Sequence, residues 1–228
     1  MAGKLIGIGV GPGDPEMLTL KAIRMVKESD VVALPGKVPE DTVAYKIVVQ
    51  AYPELAQKKL LPIYFPMTKD PEALEKSHDE GAKQIAKCLD DGKNVAFLTL
   101  GDSTVYATYM YVHHRVKAMG YEVEVVSGIP SFCAVAARLK ISLSEKDEQL
   151  HVIPASYQIE DALKLSGTKV LMKAGKKMGH VKDVLKGMDA DVVMIENCGM
   201  PDEKIFNGVD EIPEDAGYYS LIIVKDRH

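Results

Sequence analysis

The sequence predicts an α/β protein made of two consecutive α/β domains, the first around a mostly parallel sheet and the second around a mixed one. Three observations carry this. Short, nearly unbroken apolar runs such as Leu5–Val10 and Val95–Leu100 alternate with longer segments whose apolar residues recur at helical spacing, as strands buried on both faces and their covering helices require. The runs stop abruptly at turns rich in glycine, proline and aspartate. From Gln149 onward the same rhythm repeats with shorter elements, which divides the chain into residues 1–127 and 128–228.

Composition narrows the function. The 228 residues are 46% hydrophobic and 27% charged, an ordinary globular balance, and the formal net charge is −5. A net negative chain lacks the concentrated Lys and Arg that nucleic acid demands, although a local basic patch would serve an anionic small molecule. Cys88, Cys133 and Cys198 are odd in number, far apart and without a Cys-x-x-Cys pair, so the sequence suggests neither a disulfide framework nor a zinc site. Each is expected to be a small buried hydrophobe. His113 and His114 have no ligand-type residue four positions away, and no metal site is expected. No run approaches the roughly 20 apolar residues that span a bilayer. Neither a signal peptide nor a membrane is predicted, and the expected location is the cytoplasm.

The elements follow in order. Leu5–Val10 is the first strand; Asp14 and Pro15 suit a helix cap and first position, and Leu18, Ala22, Met25 and Val26 form one apolar stripe. Strand, glycine-rich loop and helix invite a dinucleotide-binding reading. The third glycine of that fingerprint would fall on Pro12, however, and Pro12 and Pro15 lack the N–H groups that cradle a pyrophosphate. Residues 30–34 form a second strand and 41–49 a helix. Residues 60–65 form a third strand that Pro62 confines to an edge or a bulge. Asp70-Pro71 starts a helix running to about Asp90. Residues 123–126 form another strand and 131–139 a helix rich in small residues. Beyond lie strands at 151–154, 169–173, 191–195 and 219–224, with helices at 159–165 and 180–186.

The stretch Gly92–Tyr106 organises the rest. Val95–Leu100 is the most continuous buried strand, and it breaks at Gly101-Asp102-Ser103-Thr104. Gly101 permits a sharp bend or a close ligand, and Asp102 or Ser103 can cap a helix from about Thr104. Ligands of open α/β sheets bind at such strand ends, so the working site is placed at Leu100–Tyr106. Ordinary strand-to-helix punctuation explains Gly-Asp-Ser equally well at this point. Tyr106, Tyr109, Met110 and His113 share a helical face that reads as core.

Taken together, three segments resemble the tetrapyrrole methylase family. They are Gly9-Val10-Gly11-Pro12-Gly13-Asp14-Pro15 with Leu18–Ala22, Leu100–Tyr106, and Ser127-Gly128-Ile129-Pro130-Ser131. Glu196-Asn197 and Ser220–Val224 match later motifs of that family. Within it, Phe65-Pro66-Met67-Thr68-Lys69-Asp70 and Ser103-Thr104 resemble the branch that methylates carbon 20 of precorrin-2 or its cobalt complex. The resemblance implies S-adenosylmethionine as methyl donor, held in a cleft between two α/β domains, and a homodimer. It implies cofactor contacts from Pro12, Leu100, Gly101, Asp102, Val105, Tyr106, Pro130, Ser131, Lys173 and Cys198. Asp102 and Tyr106 become candidates for helping the methine proton leave. The implied partner is a tetrapyrrole, with neither nucleic acid nor membrane. Its carboxylates need local cations, for which Lys173, Lys176 and Lys177, or Arg24, Lys37 and Lys69, are the candidates against a background of solvated surface lysines.

Overall fold

A computed structural model describes residues 1–68 and 70–227. Lys69 therefore lies outside the described residues. The chain forms two compact units, Met1–Pro130 and the remainder from Ser131.

In the first unit, β1 (Leu5–Gly9), α1 (Leu20–Glu28), β2 (Val31–Pro35), α2 (Val43–Ala51), β3 (Lys59–Ile63), α3 (Pro71–Asp90), β4 (Val95–Thr99), α4 (Tyr109–Ala118) and β5 (Val123–Val126) alternate strictly. All five strands are parallel, in the order β3-β2-β4-β1-β5. Two buried layers cover the sheet. Ile6, Ile8, Leu34, Ala96 and Leu98 pack toward α1 and α2, while Leu5, Val31, Ala33, Val95 and Phe97 pack toward α3 and α4. Both faces of β1 and β4 are thus covered, which is why their sequences are continuously apolar. Pro62 lies in β3, the edge strand, where its missing N–H costs nothing.

Local chemistry shifts some boundaries from those expected. Asp14 and Pro15 open only a 3₁₀ turn at Pro15–Met17; Thr19, whose Oγ1 accepts from Ala22 N–H at 3.1 Å, caps α1. Asp70 does cap α3, accepting from Glu72 N–H at 3.0 Å. Tyr106 precedes α4, so the expected stripe divides: Tyr109 is buried and Tyr106 exposed. The Tyr109 hydroxyl donates to the Glu124 carbonyl at 3.2 Å and lies 3.0 Å from His113 Nδ1. Its ring occupies the space that Gly7 leaves open; a Cβ there would stand 2.1 Å from a ring carbon.

The second unit starts with α5 (Ser131–Leu139). It continues through β6 (Leu150–Pro154), α6 (Glu160–Leu163), β7 (Thr168–Met172), α7 (Met178–Lys186), β8 (Ala190–Glu196), β9 (Lys204–Asn207) and β10 (Ser220–Asp226). The order is β6-β7-β10-β8-β9, with β6 and β7 parallel and the other pairings antiparallel, so the sheet is mixed. Strand β9 was not expected, because Lys204-Ile205-Phe206-Asn207 is short and bounded by charge. The cysteines also differ from expectation: Cys88 is buried, Cys198 half-buried and Cys133 exposed. Among the described residues no helix is long and apolar enough to cross a membrane.

Two outcomes follow for the first unit. Gly7→Ala is expected to destabilise by roughly 1–3 kcal/mol through overpacking against Tyr109. Adding Tyr109→Leu should recover part of that loss, so a double-mutant cycle in urea gives strong coupling. His78 is buried, stacks on Tyr111 at 4.7 Å between centroids, and has no hydrogen-bond partner at Nδ1. Burial and then the Arg115 guanidinium hold its imidazole below the ordinary value of 6.5, against weaker opposition from Glu75 and Asp79. The unfolded chain therefore takes up the proton first. This contribution to stability is complete above pH 6.5 and falls as the pH drops below it, and His78→Phe should flatten that acid limb in a thermal-melt series.

Candidate active site

Strand order locates the site. Connections from β1 and β2 run toward the β3 edge, and those from β3 and β4 run the other way. Neighbouring strands β1 and β4 thus send their chains to opposite faces, and the ends of these two strands form the switch point at which open α/β sheets bind ligands. The loops leaving them are Val10–Asp14 and Leu100–Thr108.

These loops are sewn together by backbone. Val10 N–H donates to the Thr99 carbonyl at 2.9 Å, Gly101 N–H to Gly11 at 2.8 Å, and Gly11 N–H to Gly101 at 3.2 Å. Gly11 and Gly101 have φ of 78° and 72°, a left-handed region hostile to side chains. The turn after β5 joins them. A Cβ on Gly128 would lie 2.2 Å from the Gly101 carbonyl oxygen and 2.6 Å from Gly9 C, so the three backbones touch as only glycines can.

Asp102 locks this junction. Its Oδ1 accepts from Thr104 N–H at 2.8 Å and from Thr104 Oγ1 at 2.5 Å, and its Oδ2 accepts from Gly128 N–H at 2.9 Å. The residue is buried. Asp102 therefore caps a tight turn rather than a helix: α4 begins at Tyr109, five residues beyond the expected start at Thr104, and residues 102–108 remain a loop. Beside it, the hydroxyls of Ser103 and Thr99 are buried with no hydrogen-bond partner. Thr99 was not singled out from sequence and Ser103 only as a possible helix cap and as part of the branch motif; a hydroxyl at a strand end reads as turn chemistry until its burial is known.

The structure gathers six of the sequence-derived residues on these two loops. Pro12 and Gly101 are buried with Asp102, Leu100 and Val105 are half-buried, and Tyr106 is exposed with φ of 48°. A bulky residue in that conformation is strained, a condition common at binding sites. Pro130 ends the first unit and Ser131 begins the second. In the second sheet, Lys173 directly follows β7, and Asn197 and Cys198 directly follow β8; both strands run antiparallel to β10, so these residues share one end of that sheet. Lys173 and Asn197 are again left-handed, with φ of 59° and 55°. Burial pushes the Lys173 ammonium below the usual lysine range. Burial, with the Glu203 carboxylate, pushes the Cys198 thiol up to about 11, so it is no nucleophile at neutral pH. Lys176 is exposed and Lys177 half-buried in the turn after Lys173, while Arg24 pairs with Glu28 at 3.6 Å.

Comparison with known proteins identifies the family. Residues 4–212 match the family described as Tetrapyrrole (Corrin/Porphyrin) Methylases. The chain belongs to the tetrapyrrole methylase family. It is 37% identical to a probable cobalt-precorrin-2 C(20)-methyltransferase of Methanocaldococcus jannaschii, covering 97% of this chain and 96% of the relative. It is 31% identical to a precorrin-2 C(20)-methyltransferase of a Sinorhizobium species, covering 99% and 97%. A uroporphyrin-III C-methyltransferase of Thermus thermophilus, solved with S-adenosylhomocysteine, shares this methylase fold at a TM-score of 0.72 and 20% identity, over 98% of this chain and 97% of the other.

Removing the Asp102 carboxylate frees three donors at a buried junction. Asp102→Ala is expected to cost about 1–3 kcal/mol in urea unfolding. Gly128→Ala should cost at least as much, because backbone atoms block its methyl. Gly179→Ala, whose methyl meets open space on α7, serves as the neutral control.

Proposed function

We propose that this methylase uses S-adenosylmethionine to add a methyl group to carbon 20 of cobalt-precorrin-2, in cobalamin biosynthesis, and that it works as a cytoplasmic homodimer. The observation that carries the reading is end-to-end similarity to proteins named for that reaction, at 37% identity to a probable cobalt-precorrin-2 enzyme and 31% to a precorrin-2 enzyme. The residues at the switch point fit such a donor. Leu100–Tyr106 contains no Lys or Arg, as suits a ligand without phosphate, and offers half-buried apolar Leu100 and Val105 beside two buried hydroxyls that lack partners.

When bound, the donor supplies a methyl on a positive sulfur, which a carbon nucleophile displaces while a neutral thioether leaves. No nucleophilic side chain is then needed, and this chain's contribution is alignment. In this reading Leu100, Val105 and Pro12 form the apolar bed, and the Gly101 backbone allows close approach. Ser103 Oγ gains the hydrogen bond it lacks. Asp102 acts as a positioning residue, since both of its oxygens already hold the loops in register. Its negative charge also favours a cation nearby. Tyr106, the exposed member of the pair, relays the proton released from the methylated carbon to water. Pro130, Ser131, Lys173 and Cys198 are proposed to supply the remaining donor contacts.

A precorrin-2 without cobalt is the second reading, favoured by the 31% identical relative. Incubation with a ¹³C-methyl-labelled donor and each macrocycle separates the two. One labelled methyl at carbon 20, formed faster with the cobalt complex, is the expected NMR result. Label at another carbon, or only in RNA or protein, would overturn the proposal. Asp102→Ala should weaken donor binding in calorimetry more than it slows turnover at saturation, whereas unchanged affinity would remove Asp102 from the site.

A further inference from the structure

The loops at the C-terminal edge of the first sheet, together with the first residue of α1, carry a row of exposed apolar side chains. Leu20 follows β1, Val38 follows β2, Tyr64 and Met67 follow β3, and Tyr106 follows β4. One exposed hydrophobe is ordinary, but a row along one edge marks a surface that receives something apolar. In the middle of the row, Lys37 Nζ stands 4.7 Å from the centroid of the Tyr64 ring. The two loops are tied below it by Gly36 N–H donating to the Ile63 carbonyl at 2.9 Å.

Lys37 differs from the unit's ion-paired cations, and from Lys58, whose ammonium is held by the Lys27 and Ser29 carbonyls at 2.9 and 2.6 Å. Lys4 and Lys21 meet Glu124, Arg24 meets Glu28, Lys93 meets Asp91, and Arg115 meets Glu75 and Asp79. No carboxylate among the described residues lies within ion-pair distance of Lys37. Lys27 also sits over a ring, that of Tyr52, but these residues end α1 and α2 at the opposite edge of the sheet. An ammonium steadied on an aromatic face keeps its charge and loses little further freedom when an anion arrives.

We infer that Lys37, seated on Tyr64, anchors a peripheral carboxylate of the macrocycle while the apolar row receives the face of its ring. The inference rests on the methyltransferase reading above and adds a specificity-determining pair to it. A flat ring with carboxylates at its border needs this combination of an apolar surface and a cation at its margin.

Steady-state kinetics with cobalt-precorrin-2, alongside calorimetry with S-adenosylmethionine, test it. Lys37→Ala is expected to raise KM for the macrocycle about tenfold, Lys37→Glu further, and Tyr64→Leu by about threefold. Lys37→Arg should restore most of the loss. Donor affinity should stay within about twofold of wild type throughout, and the rise of KM with salt should be shallower in Lys37→Ala. A Lys37→Glu enzyme with wild-type KM would overturn the anchor while leaving the methyltransferase standing. A wild-type protein that methylates no tetrapyrrole would overturn both.

Discussion

Three loops leave strands β1, β4 and β5 within backbone contact of one another, and the Asp102 carboxylate holds them there. Gly9, Gly101 and Gly128 bring no side chain of their own to the contact, so what fixes it is polar: an antiparallel bridge between Gly11 and Gly101, and the Asp102 carboxylate reaching from Thr104 to Gly128. Glycine alone would leave these loops free to sample many conformations, and the charge-assisted bonds remove that freedom. Leu100, Val105 and Tyr106 inherit their positions from this junction. The strain at Tyr106 persists because the flanking backbone is determined from both sides.

The fold around the junction explains its rigidity. Strands β1 and β4 lie at the centre of a parallel sheet with apolar layers on both faces, so their ends cannot shift without disturbing both layers. The site is thus built from loops but mounted on the most deeply buried strands of the unit, a division of labour common in α/β enzymes.

Much of this was readable from residue types. Continuous apolar runs gave the buried strands, Pro62 gave the edge, Asp70-Pro71 gave the start of α3, and Leu100–Tyr106 gave the loop at the switch point. What was hidden depends on distance through space. Asp102 reads as a helix cap in one dimension because its second partner, Gly128, is 26 positions away. The same blindness moved the start of α4, since the turn that Asp102 holds uses residues that would otherwise have begun the helix. Ser103 and Thr99 gain meaning only from burial. Strand β9 is too short and polar to declare itself without the pairing that β8 offers. Cys133 stands among apolar neighbours in the chain and Cys198 between Asn197 and Gly199, and neither is fully buried in space.

The second sheet carries a consequence of its own. Its central strand, β10, is the last of the unit to leave the ribosome, and it alone joins the β6-β7 pair to the β8-β9 pair. Until Ser220–Asp226 arrives, two half-sheets have open edges and Lys169, buried in β7, lacks the Asp226 carboxylate that neutralises it. The first unit is complete in sequence long before this. Synthesis therefore passes through a stage in which a finished parallel sheet is tethered to a waiting, aggregation-prone one, and losing those seven residues would unmake the whole second unit rather than fray its end.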